Sequence, residues 1–290
     1  MSQKVHDIHP HIISKDDGRY PRAPLGGEQS DWSRERPVTT ESMVAAMDEA
    51  GVASSALVQA ATCYGYDNSY IADAIERYPD RFTGVGTIDV LAPDAVNVLK
   101  HWIDRGVSGL RLYTGGSKLE FDVSWLDDPR SFPVWEHAGE EGVPICIQTR
   151  PVGFPVMIEL AKRFPDTRII LDHLARTDIT DGPPYAAAEP LFGLQAYPNI
   201  YLKVTPRTFD LAASGKASPE TFFAKLVAEF GADRIAFGSN YPASSGSLKQ
   251  IVDRAKENLK SLKKEDRDWI LGGTAEVLYP KLAEPVGAVQ

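Results

Sequence analysis

Eight short β-rich runs, each followed by a helical pattern, alternate along the 290 residues, and no other feature limits the possible folds as tightly. The runs are Lys4 to His9, Ser54 to Gln59, Phe82 to Ile88, Val107 to Tyr113, Pro144 to Thr149, Arg168 to His173, Ile200 to Thr205 and Arg234 to Ser239. Thr40 to Ala50 carries Met43, Val44 and Met47 on one face and stops at Gly51, where a left-handed glycine commonly ends a helix. Ser69 to Tyr78, Pro93 to Arg105, Phe132 to Glu141 and Phe154 to Phe164 follow, with a weaker pattern at Pro184 to Tyr197. Ser218 reads as an N-cap with Pro219 at the first helical position, and that helix runs to Gly231. Leu248 to Leu262 and Lys264 to Leu271 complete the series.

Eight β-then-α units without a linker predict an α/β chain folded as one (β/α)8 TIM barrel, a single domain over 1–290. The rival, a doubly wound open sheet, usually opens with a glycine-rich phosphate turn after its first strand. Here His9-Pro10-His11 stands at that point. The polar, Pro- and Gly-rich segment 12–37 fits a loop on the catalytic face.

Composition narrows the partners. With 43% hydrophobic and 24% charged residues the chain can bury a large core, which excludes disorder. A net charge of −9 with no basic arm argues against nucleic acid as the main partner. It leaves an anionic substrate open, because a few local Arg and Lys residues set the field of a pocket. Cys63 and Cys146 are too few for a disulfide framework and read as reduced thiols. The stretch MSQKVHDIHPHIIS lacks the features of a secretory signal, and no apolar run approaches the ~20 residues that span a bilayer. The expectation is a cytoplasmic protein without a membrane partner; a homo-oligomer is left open, dimers being the commonest assembly.

In barrels of this kind chemistry gathers where strands end. The run ends carry His9 and His11, then Arg111 and Tyr113, Gln148 and Arg150, Asp172 and His173 with Arg176 beyond, Lys203 and Thr205 with Arg207 beyond, and Ser239, Asn240 and Tyr241. Residues two apart share a strand face, so His9 and His11 are expected to point together with Asp7, and His6 the other way. Two such imidazoles can bind one metal ion or one substrate oxygen, or be a merely hydrogen-bonded pair. Arg111, Arg150, Arg176, Lys203 and Arg207 are either internal salt bridges to Asp7, Asp172 or Asp89, or clamps for carboxylate or sulfonate groups. His101 and His137 fall on helices and read as surface or packing residues, and Gly115-Gly116 allows a tight turn or a close approach.

Asp7-Ile8-His9-Pro10-His11, Leu171-Asp172-His173-Leu174-Ala175-Arg176 and Phe237-Gly238-Ser239-Asn240-Tyr241-Pro242 resemble the first, sixth and eighth strand signatures of the amidohydrolase superfamily. The resemblance is to its amidohydrolase-2 branch, which includes 2-pyrone-4,6-dicarboxylate lactonase and 4-sulfomuconolactone hydrolase. Gly272-Gly273-Thr274-Ala275 with Leu278-Tyr279-Pro280 resembles the C-terminal signature of that group.

The resemblance implies a hydrolytic water attacking a carbonyl at the barrel mouth. His9, His11 and His173 match positions that hold one divalent ion, zinc or manganese, or that polarise the carbonyl directly; metal-independent catalysis stays open. The strand-eight position normally holds an Asp and here holds Asn240, natural or engineered. An amide cannot accept a proton at neutral pH and is a weaker metal ligand. Either the base lies elsewhere, with His173, Asp172 and Asp7 as candidates, or a metal deprotonates water without it, or the chain is no conventional hydrolase. Gln148, where a binuclear site would need Glu or Lys, limits the expectation to one metal. The expected activity is opening of a small anionic lactone of the muconolactone or pyrone carboxylate type, 4-sulfomuconolactone among them, in aromatic-compound breakdown. His9, His11, His173 and Asn240 would stand at the reacting centre, with Arg111, Tyr113, Gln148, Arg150, Arg176, Lys203 and Tyr241 holding the substrate. Metal-dependent non-oxidative decarboxylation of an aromatic acid and non-catalytic anion binding are the rivals.

Overall fold

A computed structural model describes residues 4–116 and 119–283; the ends of the 1–290 domain span lie outside the described residues. Eight strands form one sheet, β1 (Val5–Asp7), β2 (Val52–Val58), β3 (Phe82–Gly86), β4 (Val107–Tyr113), β5 (Ile145–Gln148), β6 (Ile169–Leu171), β7 (Ile200–Val204) and β8 (Ile235–Phe237). Each pairs in parallel with the next in sequence order. The ring closes where the Ile8 N–H donates to the Phe237 carbonyl at 3.2 Å. Beside it the Asp7 carboxylate accepts from the Ser239 N–H at 2.8 Å. The expected (β/α)8 barrel is the fold.

The helices begin and end for the reasons their residues supply. Thr39 caps Thr40–Ala50 by accepting from the Ser42 N–H, and Gly51 ends it at φ 70°. Ser218 caps Pro219–Phe230 in the same way. Pro184 to Tyr197 resolves into a short helix, Glu189–Phe192, between two single 3-10 turns, with Pro190 at its start and Gly193 at its end. Leu248–Asn258 stops short of Leu262. Three short helices, Asp31–Glu35, Ala61–Tyr64 and Pro206–Ala212, have no counterpart among the expected elements, because fewer than two turns leave no readable periodicity. No helix among the described residues is long and apolar enough to cross a membrane.

Two apolar layers result. The larger lies between the strands and the outer helices. The smaller fills the barrel, where Ile8, Val58, Val85, Cys146, Ile170 and Ala236 meet, and is plugged from below by Leu278, the last residue of the helix Thr274–Leu278, and by Tyr279 just beyond it. Ile8 in this inner layer corrects the expected parity of the first strand. The ladder ends at Asp7, so strict alternation does not extend to His9 and His11. Asp7 bonds the His9 and Ser239 backbone amides rather than joining the histidine rings. His6, bonded to Ser54 and Glu276, serves the lower barrel.

Candidate active site

Above the apolar layer the same inward-facing positions turn polar. Two residues on from Cys146 stands Gln148, two from Ile170 stands Asp172, two from Tyr201 stands Lys203, and two from Ala236 stands Gly238. On β5, β6 and β7 the step up the barrel therefore reaches a polar side chain at the C-terminal end, and on β8 it reaches a glycine.

The first polar layer is closed to solvent. Asp172 accepts from Lys203 Nζ at 2.7 Å and from Arg111 Nε at 2.7 Å. The Cys146 thiol donates to it at 2.8 Å. Lys203 Nζ also lies 3.1 Å from His9 Nδ1 and 3.1 Å from Cys146 Sγ, so its three protons meet three partners. Lys203 and Asp172 side chains are both 0% exposed, which only a matched set of charges tolerates. Burial opposes the charge on Asp172, yet Lys203 and Arg111 hold its carboxyl well below the usual range. Burial likewise opposes the charge on Lys203, and Asp172 carries its ammonium above the usual lysine value. Burial, with Asp172 beside it, pushes the Cys146 thiol up to about 12. Gly238 has to be glycine here, because a Cβ would fall 2.7 Å from His9 Cβ.

Three imidazoles lie on this layer. The His9 ring is 5.0 Å from that of His11 and 4.8 Å from that of His173. Each has its Nδ1 engaged: His9 at Lys203, His11 at the Val58 carbonyl at 2.8 Å, and His173 at Thr205 Oγ1 at 2.9 Å. His9 Nε2 is buried and has no hydrogen-bond partner. Burial holds all three rings neutral, lowering His9 well below its ordinary value, His11 to about 4 and His173 to about 3. His173 reaches its place through a run of four non-glycine residues, His173 to Arg176, with φ between 50° and 56°. Left-handed backbone costs such residues about 1 kcal/mol or more each, and strain of this kind gathers at functional sites.

A cavity of about 380 Å³ opens over the rings. His11, Arg111, Tyr113, Gln148, Arg150, His173, Arg176 and Asn240 line it, as do Arg207, Gln59, Ser30 and Trp32. Ser30 and Trp32 come from the 12–37 segment, and the Trp32 ring lies 5.0 Å from that of His11. Nothing in the spacing of that polar loop marked them, whereas Arg207 already stood among the strand-end cations. Two expected substrate contacts are not among the described lining residues. Lys203 lies beneath the cavity, spent on Asp172 and His9, and Tyr241 packs against the outer core. His9 is fully buried behind the lining, and Asp7 is also enclosed. Among the described lining residues there is no Asp or Glu. Asn240 sits at φ 50°, a conformation asparagine tolerates well, and donates Nδ2 to Ser244 Oγ at 3.0 Å.

The basic residues thus divide into two classes. Arg111 and Lys203 are the buried cationic partners of Asp172. Arg150, Arg176 and Arg207 have no acidic partner among the described residues, and burial together with Arg207 and Arg150 lowers the Arg176 value. Guanidinium groups that repel one another around a cavity raise its positive potential.

His9, Asp172 and His173 offer ligand atoms within 4.8 Å of one another, a distance that could hold a metal ion. Their hydrogen bonds decide the fit. An ion at Asp172 Oδ1 would stand against an ammonium already 2.7 Å from that oxygen. At ~4 Å two like charges repel by several kcal/mol at an effective dielectric of ~20. With Lys203 in place and charged, these residues do not fit a divalent ion.

Known proteins share this architecture. The chain is 25% identical over 242 residues to an L-fucono-1,5-lactonase of Burkholderia ambifaria, covering 82% of this chain and 80% of the relative. A candidate 2-pyrone-4,6-dicarboxylic acid hydrolase of Acinetobacter baumannii, crystallised with citric acid, superposes with a TM-score of 0.73 at 17% identity over 96% of this chain and 99% of that one. A zinc-bound amidohydrolase of Burkholderia multivorans does so with a TM-score of 0.74 at 17% identity over 97% and 100%. The amidohydrolase family model matches residues 6–281, nearly the whole chain, and the protein belongs to that family.

Proposed function

We propose that this protein hydrolyses a small lactone bearing two or more anionic groups, of the muconolactone or pyrone carboxylate type, 4-sulfomuconolactone included. One observation carries the reading: a single cavity joins neutral histidines to three guanidinium groups that lack acidic partners among the described residues. Its volume, about 380 Å³, suits a small ligand. The lactonase relative and the citrate-bound structure support the bond type and the charge of the substrate.

The residues divide the work. Arg150, Arg176 and Arg207 hold the anionic substituents, and each charge-assisted hydrogen bond is worth about 1.5–3 kcal/mol. Arg111, fixed by Asp172, with Tyr113 and Gln148, sets the ring over the histidines. Gln148 Oε1 is buried without a partner and is available to a hydroxyl or to water. Trp32 covers His11 and limits access of bulk water. The buried free thiols of Cys63 and Cys146 support a reducing compartment, and the reading places the protein in the cytoplasm, in the breakdown of aromatic compounds.

The test is proton release from a panel of muconolactones and pyrone carboxylates, with the protein as purified, after chelation, and resupplied with zinc or manganese. Turnover of dianionic lactones well ahead of neutral ones is expected. Absence of lactone or ester turnover in every state would sink the reading. Carbon dioxide release from an aromatic acid without water uptake would replace it with the decarboxylase.

A further inference from the structure

A second cavity, of about 270 Å³, adjoins the arginine-lined one and has no part in the reading above. Leu25, Ile88, Val90, Leu91 and Trp125 line it, brought together from the 12–37 segment, the loop leaving β3 and the loop leaving β4. Tyr66 lines it too, and is one of three large apolar side chains left exposed among the described residues. Arg111 and Tyr113 line both cavities. These two share a face at the end of β4, and the Arg111 guanidinium carbon lies 5.3 Å from the centre of the Tyr113 ring. Arg111 is pinned to Asp172 at 2.7 Å. The Tyr113 hydroxyl fills the place that a Cβ on Gly116 would take, so only glycine there lets the ring lie across the loop. The wall between the cavities is one fixed guanidinium and one aromatic ring.

The two cavities differ in character. The first is ringed by guanidinium groups, with no acid among its described lining residues. The second is mostly hydrocarbon, and its one charged lining residue besides the shared Arg111 is Asp89. An anionic group is attracted to the first and repelled beside Asp89. An uncharged apolar group gains by leaving water in the second. We propose that the second cavity is a subsite for an uncharged apolar substituent of the substrate, and that Tyr113 is the specificity-determining residue between the two compartments. The assignment rests on the anionic lactone proposed above and narrows it: the lactone carries its anionic groups on one side and a hydrocarbon substituent on the other. Arg150, Arg176 and Arg207 hold the first side, and the Tyr113 ring lies against the substituent where it enters the second cavity. About 270 Å³ accommodates a branched four-carbon group, similar in size to a leucine side chain. Burying such a group is worth about tenfold or more in affinity.

Calorimetry with two unreactive dianions, phthalate and 4-tert-butylphthalate, tests the subsite without turnover. The wild-type chain is expected to bind the tert-butyl compound about tenfold or more tighter. In Leu91→Trp, whose larger side chain fills the second cavity, that ratio is expected to fall to about one. The readout is a ratio within one protein, so a general loss of fold weakens both ligands alike, and the wild-type ratio stands without the variant. A phthalate with trimethylammonium in place of tert-butyl, the same in shape, is expected to bind more weakly than the tert-butyl compound. Equal wild-type affinities for phthalate and 4-tert-butylphthalate, absence of binding included, overturn the subsite, as does an unchanged ratio in Leu91→Trp. Tighter binding of the ammonium compound overturns its apolar character in favour of a cation held by Asp89. Failure of the wild type on every lactone refutes the hydrolase reading, while the phthalate ratios still decide the subsite. Turnover of dianionic lactones together with equal phthalate affinities refutes the subsite and leaves the hydrolase reading standing.

Discussion

Replacing Lys203 by methionine probes the charged layer directly. The substitution keeps a similar length and apolar stem but removes the ammonium that meets Asp172, Cys146 and His9. Removing one partner of a buried ion pair costs about 3–5 kcal/mol, because the other charge is left uncompensated. Asp172 keeps Arg111 Nε at 2.7 Å and the Cys146 thiol at 2.8 Å, which sets the expected loss at the lower end, about 3 kcal/mol. At about 2 °C per kcal/mol for a chain of this size, Tm should fall by about 6 °C. Asp172→Asn should cost more, since it leaves two buried cations facing each other. In the double variant the two losses should fall short of their sum by about 1 kcal/mol or more, as expected for residues in one network. Calorimetry and urea unfolding of the four proteins read all of this. A Lys203→Met protein within 1 °C of wild type, or strictly additive losses, would refute the account of the layer as one mutually dependent set.

The neutral histidines make stability depend on pH, with a definite sign. His11 and His173 protonate at about 6.5 when unfolded but at about 4 and about 3 when folded, so the unfolded chain binds more protons below 6.5. Stability is therefore full above 6.5 and declines on acidification, by about 1.4 kcal/mol per histidine at pH 5.5, or about 3 kcal/mol for the two; a flat urea midpoint between pH 8 and 5.5 contradicts this. Arg176→Gln relieves repulsion from Arg207 and Arg150, so the unliganded protein should be as stable as wild type or more so, while calorimetric affinity for citrate falls ten- to a hundredfold. Unchanged affinity with lower stability would mean that Arg176 is structural.

Several of these features follow from local chemistry that can be read without coordinates. The eight apolar runs, the stops at Gly51 and Gly231 and the cap at Ser218 depend on residue size, backbone freedom and short-range hydrogen bonds. The strand-end histidines and arginines stood out because polar groups interrupt buried runs. Other decisions belong to the closed barrel alone. Lys203 read as a substrate clamp from its position on β7, yet it is the mate of Asp172 on β6 and supports His9 on the chain leaving β1, because charges in a dry interior are matched across strands that only closure brings together. Trp32 reaches His11 from a loop without periodicity. The left-handed run from His173 to Arg176 contains no glycine to announce it, and surrounding packing has to hold it. The sequence alone determined the barrel and the chemistry at its mouth; which groups face the cavity and which lie spent beneath it depends on where each ladder ends, and only the assembled structure decided that.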